Sequence, residues 1–329
     1  MKEHYKIAFC GLGSIGRRHL KDTVQYLRDH QCSFQIDAVR SGMRQELDKD
    51  LAQYISVQYS YGDTIPQDYD IIFITNPTSM HRESIRQYQD CTKSMFIEKP
   101  IVDDAGCEFT DLPENLICYV ACPMRYMKVL QYVKQAVDCN AAYSVRAICS
   151  TYLPNWHPGE DYRQSYSAHE TMGGGVEIDL IHEWDYLVWL FGRPDQVKCI
   201  NRRISELEID SKDIALYIGS SEKRVYELHL DYFGREEKRV LEIYLPEETL
   251  TVDLRKGTIH FGVKQEDLVL FENRDVYQQR EIAHFFDILH GECINDNDIG
   301  CAMSTLQIAK GSTLFSKDEQ EGGHCVEQE

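Results

Sequence analysis

The chain has 329 residues, 43% hydrophobic and 27% charged, with a formal net charge of −19 at pH 7. That length exceeds most single cores and calls for two domains, and the ordinary apolar content marks a globular protein. The acidity argues against nucleic acid and anionic membrane as partners, because both reward clustered positive charge.

Met1 to Lys6 runs straight into a strand-like segment, so no signal peptide is read there, and no apolar run approaches the roughly 20 residues of a bilayer span. The twelve cysteines form no C-x-x-C pair and no zinc spacing, so they read as reduced packing residues, with no metal and a cytoplasmic location expected.

In chain order, residues 5–10 (Tyr-Lys-Ile-Ala-Phe-Cys) read as a strand, followed by a glycine turn and a helix from about Ser14 to His30. Strand-like runs recur at 34–40, 70–75, 94–98 and 116–121, with helical stretches at 43–55 and 79–90. Such alternation predicts an α/β fold with a parallel, doubly wound sheet, here over residues 1–121. Pro77 and Pro100 each stand just past a strand, where the chain turns.

Beyond Cys122-Pro123 the pattern changes, and residues 122–329 read as a second domain. A helix at 126–137 precedes a strand at 143–151, an aromatic loop at 152–168 and a glycine-led helix at 173–189. From 196 to 262 alternating segments such as Ala215-Leu-Tyr-Ile and Val225-Tyr-Glu-Leu-His-Leu predict an antiparallel or mixed sheet with one covered face. Helices near 278–290 and 300–315 close the fold, and the tail after Ser316 is expected to be loose. With no repeat and no low-complexity linker, the two domains are expected to pack closely.

Gly11-Leu-Gly13-Ser14-Ile15-Gly16 follows a strand and opens a helix, the context in which this glycine spacing binds a dinucleotide. The first glycine permits the tight turn, the second lets backbone approach a pyrophosphate, and the third lets helix and strand pack closely. A site for NAD usually ends the second strand with an acid. Here Asp37 is mid-strand, and the tip is Arg40-Ser41 with Arg44 soon after. Arginine forks suit a 2′-phosphate, so NADP is the preferred cofactor and NAD the alternative. The competing reading has Arg40 stacking on adenine and Asp37 facing a neighbouring helix.

At about 100° per residue, Asp179, His182, Glu183 and Tyr186 share one face of the 173–189 helix. Leu180, Ile181, Trp184, Leu187, Val188 and Phe191 share the other. Alone, the polar face reads as solvated surface. Likewise Phe96-Ile-Glu98-Lys99-Pro100 ends a strand with a lysine that can enter a site but, alone, reads as solvated.

Together these segments resemble the glucose–fructose oxidoreductase/inositol dehydrogenase/MocA (Gfo/Idh/MocA) family. The matching pieces are Gly11-Leu-Gly-Ser-Ile-Gly-Arg-Arg-His19, Ile74-Thr75-Asn76-Pro77-Thr-Ser-Met-His81, Glu98-Lys99-Pro100, and Gly173-Gly-Gly-Val-x-x-Asp179 followed by His182. The resemblance implies a Rossmann domain plus an α/β domain with a large open, mostly antiparallel sheet that commonly mediates oligomerisation, so a homodimer or homotetramer is expected. It implies NAD(P)-dependent hydride transfer to or from a sugar, cyclitol or related carbinol. Lys99, Asp179 and His182 take the catalytic positions, and Thr75, Asn76, Pro77, His81, Glu98 and Lys99 join the glycine turn around the cofactor. In most relatives the histidine follows the aspartate by four residues; here that place is Glu183. Both offsets share a helix face, and His182 is favoured for the proton, with Glu183 assigned to the substrate.

A histidine can accept and donate a proton near neutrality, and a lysine ammonium can stabilise a developing alkoxide. Asp179 can hold the imidazole or a neighbouring hydroxyl in register. In the loop, Trp156 suits a sugar face, while Asn155, His157, Arg163 and Tyr166 suit hydroxyls or an acidic group. Arg125 would add a second cation for a carboxylate or phosphate. The loop also resembles a branch found with bacterial surface-sugar pathways, including sialic-type acids. Two other functions compete: a glycoside-processing enzyme that uses tightly held NAD transiently, and a non-catalytic NAD(P)-binding sensor or scaffold.

Overall fold

The computed structural model describes residues 2–41 and 49–311. The cofactor role expected of Arg44 and the loose tail expected after Ser316 lie outside the described residues. In chain order the elements begin with β1 (His4–Cys10), α1 (Ser14–Asp29), β2 (Ser33–Arg40), α2 (Lys49–Ala52), β3 (Ile55–Ser60) and β4 (Ile71–Ile74). Then come α3 (His81–Tyr88), β5 (Ser94–Ile97), β6 (Ile117–Val120), α4 (Lys128–Ala136), β7 (Ser144–Tyr152), α5 (Val176–Asp179) and α6 (His182–Phe191). The chain continues through β8 (Gln196–Arg202), β9 (Ile214–Ser220), β10 (Val225–Asp231), β11 (Phe233–Tyr244) and β12 (Thr249–Asp253). It ends with β13 (Thr258–Phe261), β14 (Glu266–Val269), α7 (Arg274–His290) and α8 (Ile299–Ala309).

Two units divide the chain: Met1–Gln131, Thr171–Gly173 and Phe271–Leu306 form the first, and Tyr132–Glu170, Gly174–Leu270 and Gln307–Glu329 the second. The first holds a six-stranded sheet in the order β3-β2-β1-β4-β5-β6, with every neighbouring pair parallel. This is the doubly wound order, whose reversal between β1 and β4 opens a crevice at the strands' carboxyl ends. β4 and β5 are buried at every residue, as strands covered on both faces must be. Aromatic rings fill the layer beneath: Phe9 stacks on Phe73 at 4.3 Å, Phe73 on Phe96 at 5.0 Å, and Phe96 meets Phe285 of α7 edge-on at 5.3 Å. Each such ring stabilises by about 1.5–3 kcal/mol on burial. The helix expected over 43–55 differs: the described part is α2 alone, and Ile55-Ser-Val57-Gln-Tyr59 pairs as edge strand β3. Its β-branched, period-two pattern is the local signal for a strand.

The second unit holds an eight-stranded sheet in the order β14-β13-β12-β11-β7-β10-β9-β8. β7 pairs parallel with β10, and the remaining pairs are antiparallel. Along β10 the residues Tyr226, Leu228 and Leu230 face inward, and Val225 and Glu227 outward. On the covered face Trp184 of α6 meets Tyr217 edge-on at 5.4 Å. Among the described residues, no helix is long and apolar enough to cross a membrane.

Candidate active site

In the first unit, the glycine turn between β1 and α1 is shaped by what surrounds each glycine. Gly11 has φ +98°, and a Cβ there would lie 2.6 Å from the Asn76 amide nitrogen; one on Gly16 would lie 2.4 Å from the Gly11 carbonyl oxygen. Side chains at these two positions would drive helix and strands apart. At Gly13 a Cβ would meet nothing within 4 Å, so that position opens onto free space. The first turn of α1 holds no acid and receives no side-chain cap at Gly13. The N–H groups of Ser14, Ile15 and Gly16 are therefore offered to an anion at the positive end of the helix. The Thr75 hydroxyl fixes the turn by donating to the Gly11 carbonyl at 2.6 Å. These residues fit a dinucleotide pyrophosphate.

At the end of β2, Arg40 donates to Gln58 at 3.2 Å, with Ser41 following it. Asp37 is buried and accepts from the Tyr69 hydroxyl at 2.7 Å, so its carboxylate is sequestered in the fold rather than standing at the strand tip. His81 is buried with its ring nitrogens facing three carbonyls, those of Asn76 (2.9 Å), Pro100 (3.1 Å) and Ile101 (3.2 Å). It braces the segments carrying Asn76-Pro77 and Lys99-Pro100. Burial pulls its pKa down against the raising effect of those carbonyls and of the Glu98 charge. Glu98 is buried at the end of β5, where one carboxylate oxygen meets His19 Nε2 at 2.5 Å and the other accepts from the Lys99 amide at 3.0 Å. Burial alone would raise the Glu98 pKa, but the hydrogen bond from His19 and the charges of His19, Lys99 and His81 outweigh it and hold it low. Lys99 is half-buried in the turn that follows.

In the second unit the structure corrects the expected single helix at 173–189. The chain forms α5 and α6, broken at Leu180-Ile181, where Ile181 N–H donates to Ile178 and Glu183 N–H to Leu180. Bonds to the third preceding residue tighten the turn toward 120° per residue, so the even 100° spacing does not carry through from Asp179 to His182. Nor is the polar face solvated, because Asp179 is 5% exposed and Glu183 0%. Gly174 lets the chain pass the loop before it, since a Cβ there would lie 2.2 Å from the Tyr166 carbonyl oxygen.

Asp179 ends α5 and accepts from the Tyr232 hydroxyl at 2.5 Å. Burial, and then the Asp179 charge, push the Tyr232 pKa well up, so the phenol stays protonated and donates. Tyr232 meets the Trp156 ring edge-on at 5.4 Å, and Trp156 donates to Thr151. His182 is half-buried at the first residue of α6. Glu183, next to it, takes the guanidinium of half-buried Arg239 on β11 at 2.7 and 2.6 Å. Glu183 is thereby tied into the sheet, while His182 stands at the helix start. The sequence does not single out Tyr232 or Arg239: Tyr232 stands between β10 and β11 and Arg239 follows a charged run in β11, and neither setting gives a sign of a carboxylate partner.

The two arginines expected near a substrate are engaged. Arg125, 4% exposed, donates to the Asp296 carbonyl and the Asn297 side chain, each at 3.0 Å. Exposed Arg163 grips Asp161 at 2.8 and 2.9 Å and Glu208 at 3.0 Å. A pocket of about 380 Å³ opens within the loop, lined among others by Pro154, Trp156, His157, Glu160 and Tyr162. Tyr166 is 47% exposed. Among the described residues, no group of three His, Cys, Asp or Glu side chains is placed to hold a metal.

Residues 5–108 match the family model GFO_IDH_MocA, described as an oxidoreductase family with an NAD-binding Rossmann fold. No curated protein matches the chain in sequence. Among solved structures, levoglucosan dehydrogenase in complex with NADH and levoglucosan is 15% identical with a TM-score of 0.78, covering 94% of this chain and 96% of that one. UDP-N-acetylglucosamine 3-dehydrogenase GnnA from Acidithiobacillus ferrooxidans is 19% identical with a TM-score of 0.71, covering 93% and 96%. An oxidoreductase from Thermotoga maritima is 16% identical with a TM-score of 0.76, covering 94% and 95%. At these identities the likeness establishes the fold.

Proposed function

We propose that the chain, whose residues 5–108 match the model of the Gfo/Idh/MocA oxidoreductase family, transfers a hydride between a nicotinamide dinucleotide and a carbinol or carbonyl carbon of a sugar, sugar acid or cyclitol. The observation that carries this reading is the glycine turn, where Gly11 and Gly16 are closed in by backbone and Gly13 opens before an uncapped, acid-free helix start. When bound, the dinucleotide supplies the hydride donor or acceptor. Lys99 stabilises the oxygen that gains negative charge as the carbinol hydroxyl loses its proton or, in the reverse direction, as the carbonyl carbon accepts hydride. His182 exchanges the hydroxyl proton near neutral pH, and Asp179, fixed by Tyr232, orients it or a substrate hydroxyl.

NADP is the preferred cofactor and NAD the alternative. The sequestered Asp37 and the Arg40-Ser41 tip support this. Arg40→Asp is expected to lower NADPH affinity relative to NADH by about tenfold; an unchanged preference in fluorescence titrations removes the argument.

On the substrate side, Trp156 and Tyr166 contact a sugar face and its hydroxyls. Arg125 and Arg163 already face acids or acceptors of their own units, which favours a neutral sugar or cyclitol over an acid. The structure of levoglucosan dehydrogenase with NADH and levoglucosan supports the same class. A homodimer or homotetramer would use the open sheet face, where Ile200 and Ile218 are 56% and 63% exposed. A cytoplasmic location accords with Cys10, Cys118 and Cys149, unbridged thiols whose pKa burial pushes up to about 12. The deciding experiment screens neutral sugars, cyclitols and sugar acids for absorbance change at the nicotinamide band with each cofactor. Reduction of NADP⁺ or NAD⁺ by a sugar or cyclitol bears the proposal out; no binding of either cofactor overturns it.

A further inference from the structure

His19 has no part in the chemistry so far described, yet it is fully buried and placed with care. It lies one turn beyond Gly16 on α1, and the close approach that Gly16 permits brings this helix down onto the sheet. The ring packs against Phe96 at 4.8 Å and Phe73 at 6.3 Å. Nε2 meets Glu98 at 2.5 Å, while Nδ1 has no hydrogen-bond partner. Its side-chain hydrogen bond is thus with the carboxylate whose other oxygen holds the Lys99 amide at 3.0 Å.

We propose that His19, acting through Glu98, is a positioning residue for Lys99, so that the helix facing the dinucleotide phosphates also sets the lysine turn. The inference rests on the reading of α1 as the cofactor helix and of Lys99 as catalytic. A buried carboxylate bonded at both oxygens cannot pivot without leaving a donor unmet. Removing His19 releases one oxygen, and the clamp on the Lys99 amide loosens. Removing Glu98 breaks the same chain one link later.

The test compares wild type, His19→Leu, Glu98→Gln and the double variant. Acetic anhydride labels lysines, and peptide mass spectrometry gives the Lys99 rate relative to exposed Lys223. NADH affinity from fluorescence and Tm are measured on the same samples. The Lys99 rate is expected to rise about threefold or more in each single variant, with the double variant no different from either, because the two residues act in one chain. NADH affinity of His19→Leu should stay within about threefold, which a general loosening of the nucleotide unit would not allow. Should His19→Leu fail to fold, His19→Gln takes its place, and Glu98→Gln keeps the carboxyl shape throughout. A wild-type Lys99 rate in folded variants, or additive effects in the double variant, overturns the proposal. Failure of wild-type protein to bind either NADH or NADPH instead overturns the cofactor reading, while the Lys99 rates still judge the placement.

Discussion

In the first unit the turn bearing Lys99 is held by its neighbour: Glu98 grips the Lys99 amide and is gripped in turn by His19. In the second, the carboxylate of Asp179 is itself the held group, through the Tyr232 hydroxyl, and the start of α6 is tied to the sheet by Glu183 and Arg239. The first arrangement fixes the backbone of the Lys99 turn through its amide. The second fixes a side chain directly, through the Asp179 carboxylate. Both place their polar anchors out of water, where an unmet partner is costly.

The widest separation between anchors and chemistry comes from replacing the reactive groups. Lys99→Met and His182→Ala are expected to lower turnover by about a thousandfold while NADPH and NADH affinities stay nearly intact; near-normal steady-state rates in both would sink the assignment. Next, Arg239→Met leaves the Glu183 carboxylate buried and uncompensated and should destabilise by about 3–5 kcal/mol in urea unfolding. Adding Glu183→Leu to it should recover part of that loss, whereas no recovery would mean that Arg239 serves packing alone. Tyr232→Phe removes one bond to a buried carboxylate and should cost about 1.5–3 kcal/mol, with turnover falling more than cofactor affinity. An unchanged rate would separate Asp179 orientation from catalysis.

The smallest effect is the response to acid. Glu98 is held below its usual 4.5, so its stabilisation is present above that pH and fades as pH falls through the lower folded value. His81 is also held below its usual 6.5, here by burial. The unfolded chain therefore takes up its proton first, and stability begins to fall as pH drops below 6.5. Tm should decline from neutrality toward pH 4 in wild type. Glu98→Gln should flatten the steeper part below about pH 4.5; identical Tm profiles would show that the His19–Glu98 pair contributes nothing there.

Much of the first unit was legible in the sequence because its signals are local. A strand, three spaced glycines and a helix start lie within a few residues, and period and turn chemistry decide them. The short β3 escaped because part of its stretch lay against a helical pattern, although Ile55, Val57 and Tyr59 alternate. The mixed sheet of the second unit was legible from alternation, but not its order, since pairing joins β7 to β10 and β11 across long separations.

The sequence by itself determined the nucleotide turn, the strand-end lysine and the presence of Asp179 and His182 near a glycine run. Tertiary structure alone decided what each of these touches. It broke the 173–189 helix at Leu180-Ile181, drew Glu183 to Arg239, gave Asp179 to Tyr232 and turned Glu98 toward His19. The physical reason is that a buried charge must find its partner wherever the fold supplies one. Those partners stand between 53 and 79 residues away along the chain, far beyond the reach of any local pattern.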